Sequence, residues 1–284
     1  MLVRILSSLL GCAIIIPVLI FSDTWAFPVF MALVSFISVY EMMRCIGVHK
    51  KHYLTVPFCL FGAAMPILAR LSAQNAKIEI GFCALAICVL SAIYLLTVSL
   101  FSREKFNIEK ASTVFLTLFY IVGGYAALVL LRDFEGVGKY IYLLTFVGAW
   151  FTDIFAYFTG RFLGKHKLIP DISPKKTVEG SIGGIVFCAV AYVVYGIVLK
   201  VAYGIEVNYI ALAIVAVLIS FVAQIGDLTL SAIKRKFGIK DFGKIMPGHG
   251  GLLDRFDSVI PVALLLYLAF KVAAAFGINI FTLI

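Results

Sequence analysis

The sequence predicts an all-α, polytopic membrane protein with about nine transmembrane helices. Of the 284 residues, 63% are hydrophobic and only 14% are charged, which is unlike the balance in a soluble globular protein. About 20 consecutive apolar residues cross the hydrocarbon core of a bilayer as one helix. The predicted spans lie at about 5–21, 25–43, 53–71, 80–101, 111–131, 140–160, 181–202, 208–231 and 258–282.

The orientation of these spans follows from the positions of Lys and Arg, which are enriched in cytoplasmic loops. With a cytoplasmic N-terminus, the segments on the cytoplasmic side hold 18 of the 24 basic residues and the opposite segments hold five. The C-terminus is therefore predicted to lie outside. The same asymmetry, with attraction to anionic headgroups, accounts for the net charge of +9, so no nucleic-acid partner is predicted. The short segment before the first span favours a bacterial inner-membrane protein.

The polar residues are unevenly distributed along the chain. The first five spans contain almost nothing polar at membrane depth, whereas glycines and charges are concentrated in residues 148–258. A charged side chain at a helix centre costs about 2.5–3.5 kcal/mol on insertion scales, so such residues indicate function. We divide the chain into N-terminal scaffold helices, 1–139, and a C-terminal catalytic half, 140–284, with its active site at the cytoplasmic face.

The sixth predicted span carries a polar face. Asp153, Tyr157, Arg161 and Gly164 follow one another at helical spacing, and Gly160 with Gly164 permits close approach of another helix. We interpret this face as the wall of a substrate pocket. The alternative is a packing face on which Asp153 pairs with Arg161.

The loop that follows has the features of an anion site. Lys175 and Lys176 present two adjacent ammonium groups, and Thr177 is positioned to cap a helix that begins near Glu179. A helix N-terminus beside lysines binds anions well. The alternative is a cytoplasmic loop whose lysines only set the topology.

The eighth span ends in a polar stripe, because Gln224, Asp227, Ser231 and Lys234 recur at helical spacing. Carboxylate oxygens are the ligands that Mg²⁺ prefers, with water and phosphate completing its shell. Asp227, together with Asp254 from the start of the last span, is therefore a candidate Mg²⁺ ligand.

A turn with the sequence PGHGG, 247–251, precedes the last span and is predicted to bring Asp254, Arg255 and Asp257 back toward the membrane. The alternative for these charges is a self-neutralising network of salt bridges. For His249, a hydrogen-bonded turn residue and a direct chemical role both remain open.

The segment SAIKRKFGIKDFGKIMPGHGGLLDRFDS, 231–258, resembles the signature of phosphatidate cytidylyltransferases, also called CDP-diacylglycerol synthases. QIGDL at 224–228, SPKKTVEG at 173–180 and the Asp153-Tyr157-Gly160-Gly164 pattern are similar to further motifs of that family. The positions that match the signature are Ser231, Lys234, Arg235, Lys240, Asp241, Pro247, His249, Gly250, Gly251, Asp254, Arg255 and Asp257.

The resemblance implies transfer of a cytidylyl group from CTP to phosphatidate at a membrane surface, with Mg²⁺ bound by Asp227 and Asp254. A second cation and a homodimer are left open. The catalytic residues it implies are Lys234, Arg235, Arg255, Asp257 and His249. The substrate-binding residues it implies are Asp153, Tyr157, Ser173, Lys175, Lys176, Thr177, Ser231, Lys240 and Asp241.

Two other classes of protein share some of these features. One is another CTP-using membrane enzyme, either a cytidylyltransferase for archaeal-type ether lipids or a polyprenol kinase. The other is a transporter, in which charged residues and interrupted helices mark an ion pathway. A transporter is expected to repeat such features in two halves, whereas here they lie in one.

Overall fold

The structure, a computed structural model, describes residues 2–75, 77–102, 106–246, 248 and 250–282. Its helices are α1 (Leu2–Ile20), α2 (Ala26–Cys45), α3 (His52–Gln74), α4 (Ile80–Phe101), α5 (Ile108–Arg132), α6 (Gly138–Phe162), α7 (Val178–Tyr203), α8 (Tyr209–Lys236), α9 (Leu253–Phe256) and α10 (Val259–Ala275). Within these described ranges, seven helices, α2 to α8, are long and apolar enough to cross a membrane.

Large apolar side chains remain exposed on the outer faces of the long helices. Leu100, Phe101, Val201 and Ile210 are all more than three-quarters exposed. A water-soluble protein does not present so much apolar surface, whereas lipid tails cover it at no cost. The fold is therefore that of an all-α polytopic membrane protein, as predicted.

The last helix is shorter than the predicted span 258–282. α10 ends at Ala275, because Gly277 adopts a left-handed conformation with φ +69°. The N–H groups of Gly277 and Ile278 then bond back to Ala274 and Ala273, which closes the helix C-terminus. The sequence stays hydrophobic beyond Ala275, so hydropathy alone does not indicate where this helix ends.

Two short antiparallel strand pairs interrupt the helical pattern. β1 (Lys167–Ile169) pairs with β2 (Ser173–Thr177) in the loop between α6 and α7. β3 (Glu206–Val207) pairs with β4 (Phe281–Thr282), the segment that the prediction had assigned to the last span.

The chain forms two compact units. The first comprises residues 1–130 with 241–254, and the second comprises residues 131–240 with 255–284. In the first unit α2 packs against α3; in the second, α6, α7, α8 and α10 pack together. The division of roles between residues 1–139 and 140–284 stays a prediction.

Candidate functional site

The start of α7 is organised by the preceding hairpin. Thr177 ends β2 and is the N-cap residue of α7, where its hydroxyl accepts a hydrogen bond from the N–H of Gly180 at 3.1 Å. The predicted cap is thus confirmed, with the helix beginning at Val178. The carboxylate of Glu179 accepts hydrogen bonds from the N–H groups of Lys165 and His166, so the loop that follows α6 is held at the same helix start.

Glycines allow α6 and α7 to approach closely at this point. A Cβ added to Gly180 would lie 2.6 Å from the carbonyl oxygen of Ala156, and one added to Gly160 would lie 2.7 Å from the hydroxyl of Thr177. The predicted close-packing role of Gly160 is confirmed, and α7 places the helix start beside the polar face of α6.

A cavity of about 560 Å³ lies in the second unit, between the polar face of α6, the β1–β2 hairpin, the start of α7 and α8. Its charged lining is dominated by cations, because five basic side chains face two carboxylates. The lining residues are Asp153, Ala156, Tyr157, Gly160, Arg161, Gly164, Lys165, Lys167, Leu168, Lys175, Lys176, Thr177, Gly180, Ser181, Gln224 and Asp227. A surplus of three positive charges makes the cavity suited to a polyanion.

Asp227 is the charged group of α8 that lines this cavity. Its Oδ2 lies 2.6 Å from the ammonium nitrogen of Lys176, and its Oδ1 accepts a hydrogen bond from the hydroxyl of Ser231 at 3.3 Å. The structure thus joins three predicted site residues from β2 and α8.

A buried serine connects two further predicted carboxylates. The hydroxyl of Ser258, which is 3% exposed, donates to Oδ2 of Asp153 at 2.9 Å, and its N–H donates to Oδ1 of Asp257 at 2.9 Å. Burial, with repulsion from Asp227 and Asp153, raises the pKa of Asp257 to about 8, although attraction to Lys234 opposes the rise. At neutral pH the carboxyl group of Asp257 is therefore mostly protonated, and a cation bound nearby would favour its ionised form.

The alternative pairing of Asp153 with Arg161 is not the one observed. The guanidinium of Arg161 donates to the hydroxyl of Tyr157 at 2.9 Å, and Asp153 bonds to Ser258. Asp153, Tyr157 and Arg161 all line the cavity, so the pocket-wall interpretation is the one that the geometry supports.

In the first unit, Asp254 organises the loop 241–254. Its Oδ2 accepts hydrogen bonds from the N–H groups of Phe242 at 2.8 Å and Gly251 at 2.9 Å, and the residue is buried. Of the predicted turn, the described residues Gly248 and Gly250 have φ values of +79° and +89°, and the carbonyl of Gly250 accepts a hydrogen bond from the N–H of Met246 at 3.1 Å. His249 and Pro247 lie outside the described residues.

Across the part of the chain that the structure describes, no group of three or more His, Cys, Asp or Glu side chains is arranged to hold a metal ion. A Mg²⁺ ion bound here would therefore depend on water and substrate phosphates for much of its coordination shell, as is usual for this ion.

A family model described as the cytidylyltransferase family matches residues 2–273, nearly the whole chain. This chain belongs to the cytidylyltransferase family. Curated relatives include the phosphatidate cytidylyltransferase of Staphylococcus saprophyticus subsp. saprophyticus, which is 32% identical over 264 residues, covering 93% of this chain and 96% of the relative. That of Bacillus subtilis is 32% identical over 265 residues, covering 93% and 95%.

Some predicted residues of this cytidylyltransferase-family chain lie away from the cavity lining. Ser173 begins β2, and Lys234 is buried near the end of α8. Ser231 donates a hydrogen bond to Asp227, which lines the cavity. Exposed positions are taken by Arg235, Lys240, Asp241 and Arg255. Their assigned roles stay predictions.

Sequence reasoning left several lining or supporting residues out of the site. The sequence motifs do not include Lys165 or Lys167 among the candidate site residues, and they predict no contact for Ser258. Lys165 lies four residues after Arg161, at the spacing of the predicted polar face, so extension of that pattern would have suggested it. The contact of Ser258 with Asp153 spans 105 residues and leaves no local signal.

Proposed function

We propose that this chain transfers the cytidylyl group of CTP to phosphatidate, giving CDP-diacylglycerol and pyrophosphate for phospholipid synthesis. The observation that carries the proposal is the cation-rich cavity built on the motifs that resemble the family's own. Membership of the cytidylyltransferase family and relatives named phosphatidate cytidylyltransferase support the same reaction.

In this reaction a phosphate oxygen of phosphatidate bonds to the α-phosphorus of CTP. The bond from that phosphorus to the bridging oxygen of pyrophosphate breaks, and pyrophosphate leaves with the electron pair. Because the nucleophile is already ionised, no general base is required. Positioning and charge neutralisation therefore dominate the catalysis.

The cavity side chains suit these two tasks. Lys175, Lys176 and Lys167 bring ammonium groups from the two strands of the hairpin to the volume beside the α7 N-terminus. Arg161 offers a planar set of donors to phosphate, held by its contact with Tyr157. Together these groups neutralise the triphosphate while it is bound.

We propose Mg²⁺ as the cofactor, and the donor set fits it. Asp227 supplies carboxylate oxygens to the cavity, and Asp153, which also lines it, adds a second carboxyl group. When bound, the ion neutralises charge on the reacting phosphates. Asp254, in the other unit, stays a predicted ligand, and the identity of a second cation stays open.

The proposed orientation has nine spans, a cytoplasmic N-terminus and an external C-terminus. It rests on the asymmetry of basic residues, and it gives the hairpin access to cytosolic CTP. The relatives are bacterial proteins, which favours the bacterial cell membrane. The proposal does not require a homodimer.

Purified protein in detergent, supplied with CTP, phosphatidate and Mg²⁺, should release pyrophosphate and form CDP-diacylglycerol, both of which are measured. Asp227→Asn should abolish turnover, while Asp171→Asn, an exposed hairpin residue that does not line the cavity, should not. Turnover with a polyprenol or an ether-lipid acceptor, and none with phosphatidate, would assign the chain to the other CTP-using enzymes.

A further inference from the structure

A buried carboxylate in α2 holds the loop 241–254. Glu41 is 2% exposed, and its Oε2 accepts a hydrogen bond from the N–H of Leu253 at 2.8 Å. Its Oε1 accepts another from the N–H of Leu252 at 3.1 Å. Hydrogen bonds to an ionised carboxylate are about twice as strong as neutral ones, so this contact fixes the backbone of two consecutive residues.

The adjoining backbone is held by the second carboxylate of the loop. Asp254 accepts hydrogen bonds from the N–H groups of Gly251 and Phe242. Two carboxylates, one from α2 and one from the loop itself, therefore accept hydrogen bonds from the N–H groups of three consecutive residues, 251 to 253.

The loop glycines fit closely against Glu41. A Cβ on Gly251 would lie 2.6 Å from both carboxylate oxygens of Glu41, and a Cβ on Gly243 would lie 2.7 Å from its Cδ. These glycines are therefore required by contact with the carboxylate, in addition to any need for a turn. The sequence motif and a residue about 200 positions earlier form one packed arrangement.

We propose that Glu41 is a positioning residue for cytidylyl transfer. It orients Asp254 through the backbone of Leu252 and Leu253, and it makes no contact with the substrate. The proposal rests on the proposed function for the role of Asp254. It also explains why a carboxylate is buried in a helix of the N-terminal unit, where burial of a charge without partners is strongly unfavourable.

Glu41→Gln tests the proposal, because the amide keeps one acceptor oxygen and turns an NH₂ group toward the other N–H. Ser38→Ala is a matched control. Ser38 is buried one turn earlier in α2 and loses a hydrogen bond with the hydroxyl of Tyr125, 2.8 Å away, without touching the loop. Glu41→Asp is a second variant, which keeps the charge but is one methylene too short to reach both N–H groups.

The first readout is hydrogen exchange of the backbone amides. In Glu41→Gln, Leu252 and Leu253 should exchange about ten- to a hundredfold faster than in the wild type, while peptides of α3 are unchanged. Glu41→Asp should show the same localised change, which keeps the test available if the amide variant does not insert. Ser38→Ala should leave the exchange of this loop unchanged.

The second readout is steady-state kinetics. Glu41→Gln should lower kcat by about 10- to 100-fold, the usual range for groups that orient a ligand residue. KM for CTP should stay within about twofold, because the cavity lysines are untouched. Ser38→Ala should retain wild-type kcat.

Each outcome decides the proposal. Unchanged loop exchange, wild-type kcat in Glu41→Gln, or an equal loss in Ser38→Ala would each overturn it. Failure of the wild type to use CTP and phosphatidate would instead remove the proposed function. In that case hydrogen exchange would still show whether Glu41 holds the loop.

Discussion

The ammonium nitrogen of Lys176 lies 2.6 Å from Oδ2 of Asp227, and both side chains are about one-quarter exposed at the cavity. Each side chain supplies the other with a partner of opposite charge, so neither charge stands unpaired at the cavity. Under the proposed function, a nucleotide phosphate offers Lys176 a new partner while a divalent cation offers one to Asp227. The pair thus keeps both charges in place before substrate arrives.

Lys176→Ala should raise KM for CTP about tenfold, since a hydrogen bond between charged groups contributes roughly 1.5–3 kcal/mol. Lys175→Ala should have a smaller effect, because Lys175 is more exposed to solvent. Initial rates at varied CTP concentrations measure both. Lys200→Ala is the control, because it removes an exposed ion pair with Glu206 away from the cavity. An unchanged KM for CTP in the Lys175→Ala, Lys176→Ala double variant would show that these lysines only set the membrane topology.

Ser258→Ala should lower kcat by about tenfold, because Asp153 loses the hydroxyl that orients it at the cavity wall. Ser220→Ala is matched, since it removes a buried hydrogen bond with Thr152 in the same unit. Kinetics and melting temperature should be measured together. If both variants lose activity in proportion to their stability, Ser258 has only a structural role.

The second to eighth apolar spans were predictable because each is a continuous run bounded by polar residues. The fourth was predicted at 80–101 and is observed as Ile80–Phe101. The Thr177 cap was also predictable, because the hydroxyl and the N–H that it accepts from lie three residues apart. Local spacing is sufficient for features of this kind.

Contacts between distant elements were not predictable. Glu41 is a single acidic residue within an apolar span, and its partners lie 211 and 212 residues further along the chain. Helical periodicity identifies which residues share a face, but it does not identify what that face meets. The same limit hid the contribution of Lys167 to the cavity.

The orientation can be tested by cysteine accessibility in a chain whose six native cysteines are replaced. Single cysteines placed in residues 165–180 and 236–250 should react with a membrane-impermeant reagent only from the cytoplasmic side. Those placed in residues 133–138 should react from the outside. Labelling of residues 171–176 from the outer face would invert the topology and separate the lysines from cytosolic CTP.

Gly251→Ala should reduce kcat by about a hundredfold, because a displacement of about 1 Å at a reacting group has an effect of that size. The added Cβ would lie 2.5 Å from the backbone nitrogen of Gly243 and 2.6 Å from the oxygens of Glu41, so the loop that carries Asp254 has to shift. Gly47→Ala is the control: its φ is +80° and nothing lies within 4 Å of its Cβ. That variant incurs only the strain of a left-handed residue, about 1–2 kcal/mol, and should lose stability while keeping turnover. Wild-type kcat in Gly251→Ala would show that the reaction tolerates a displaced loop, and that Asp254 does not depend on its geometry.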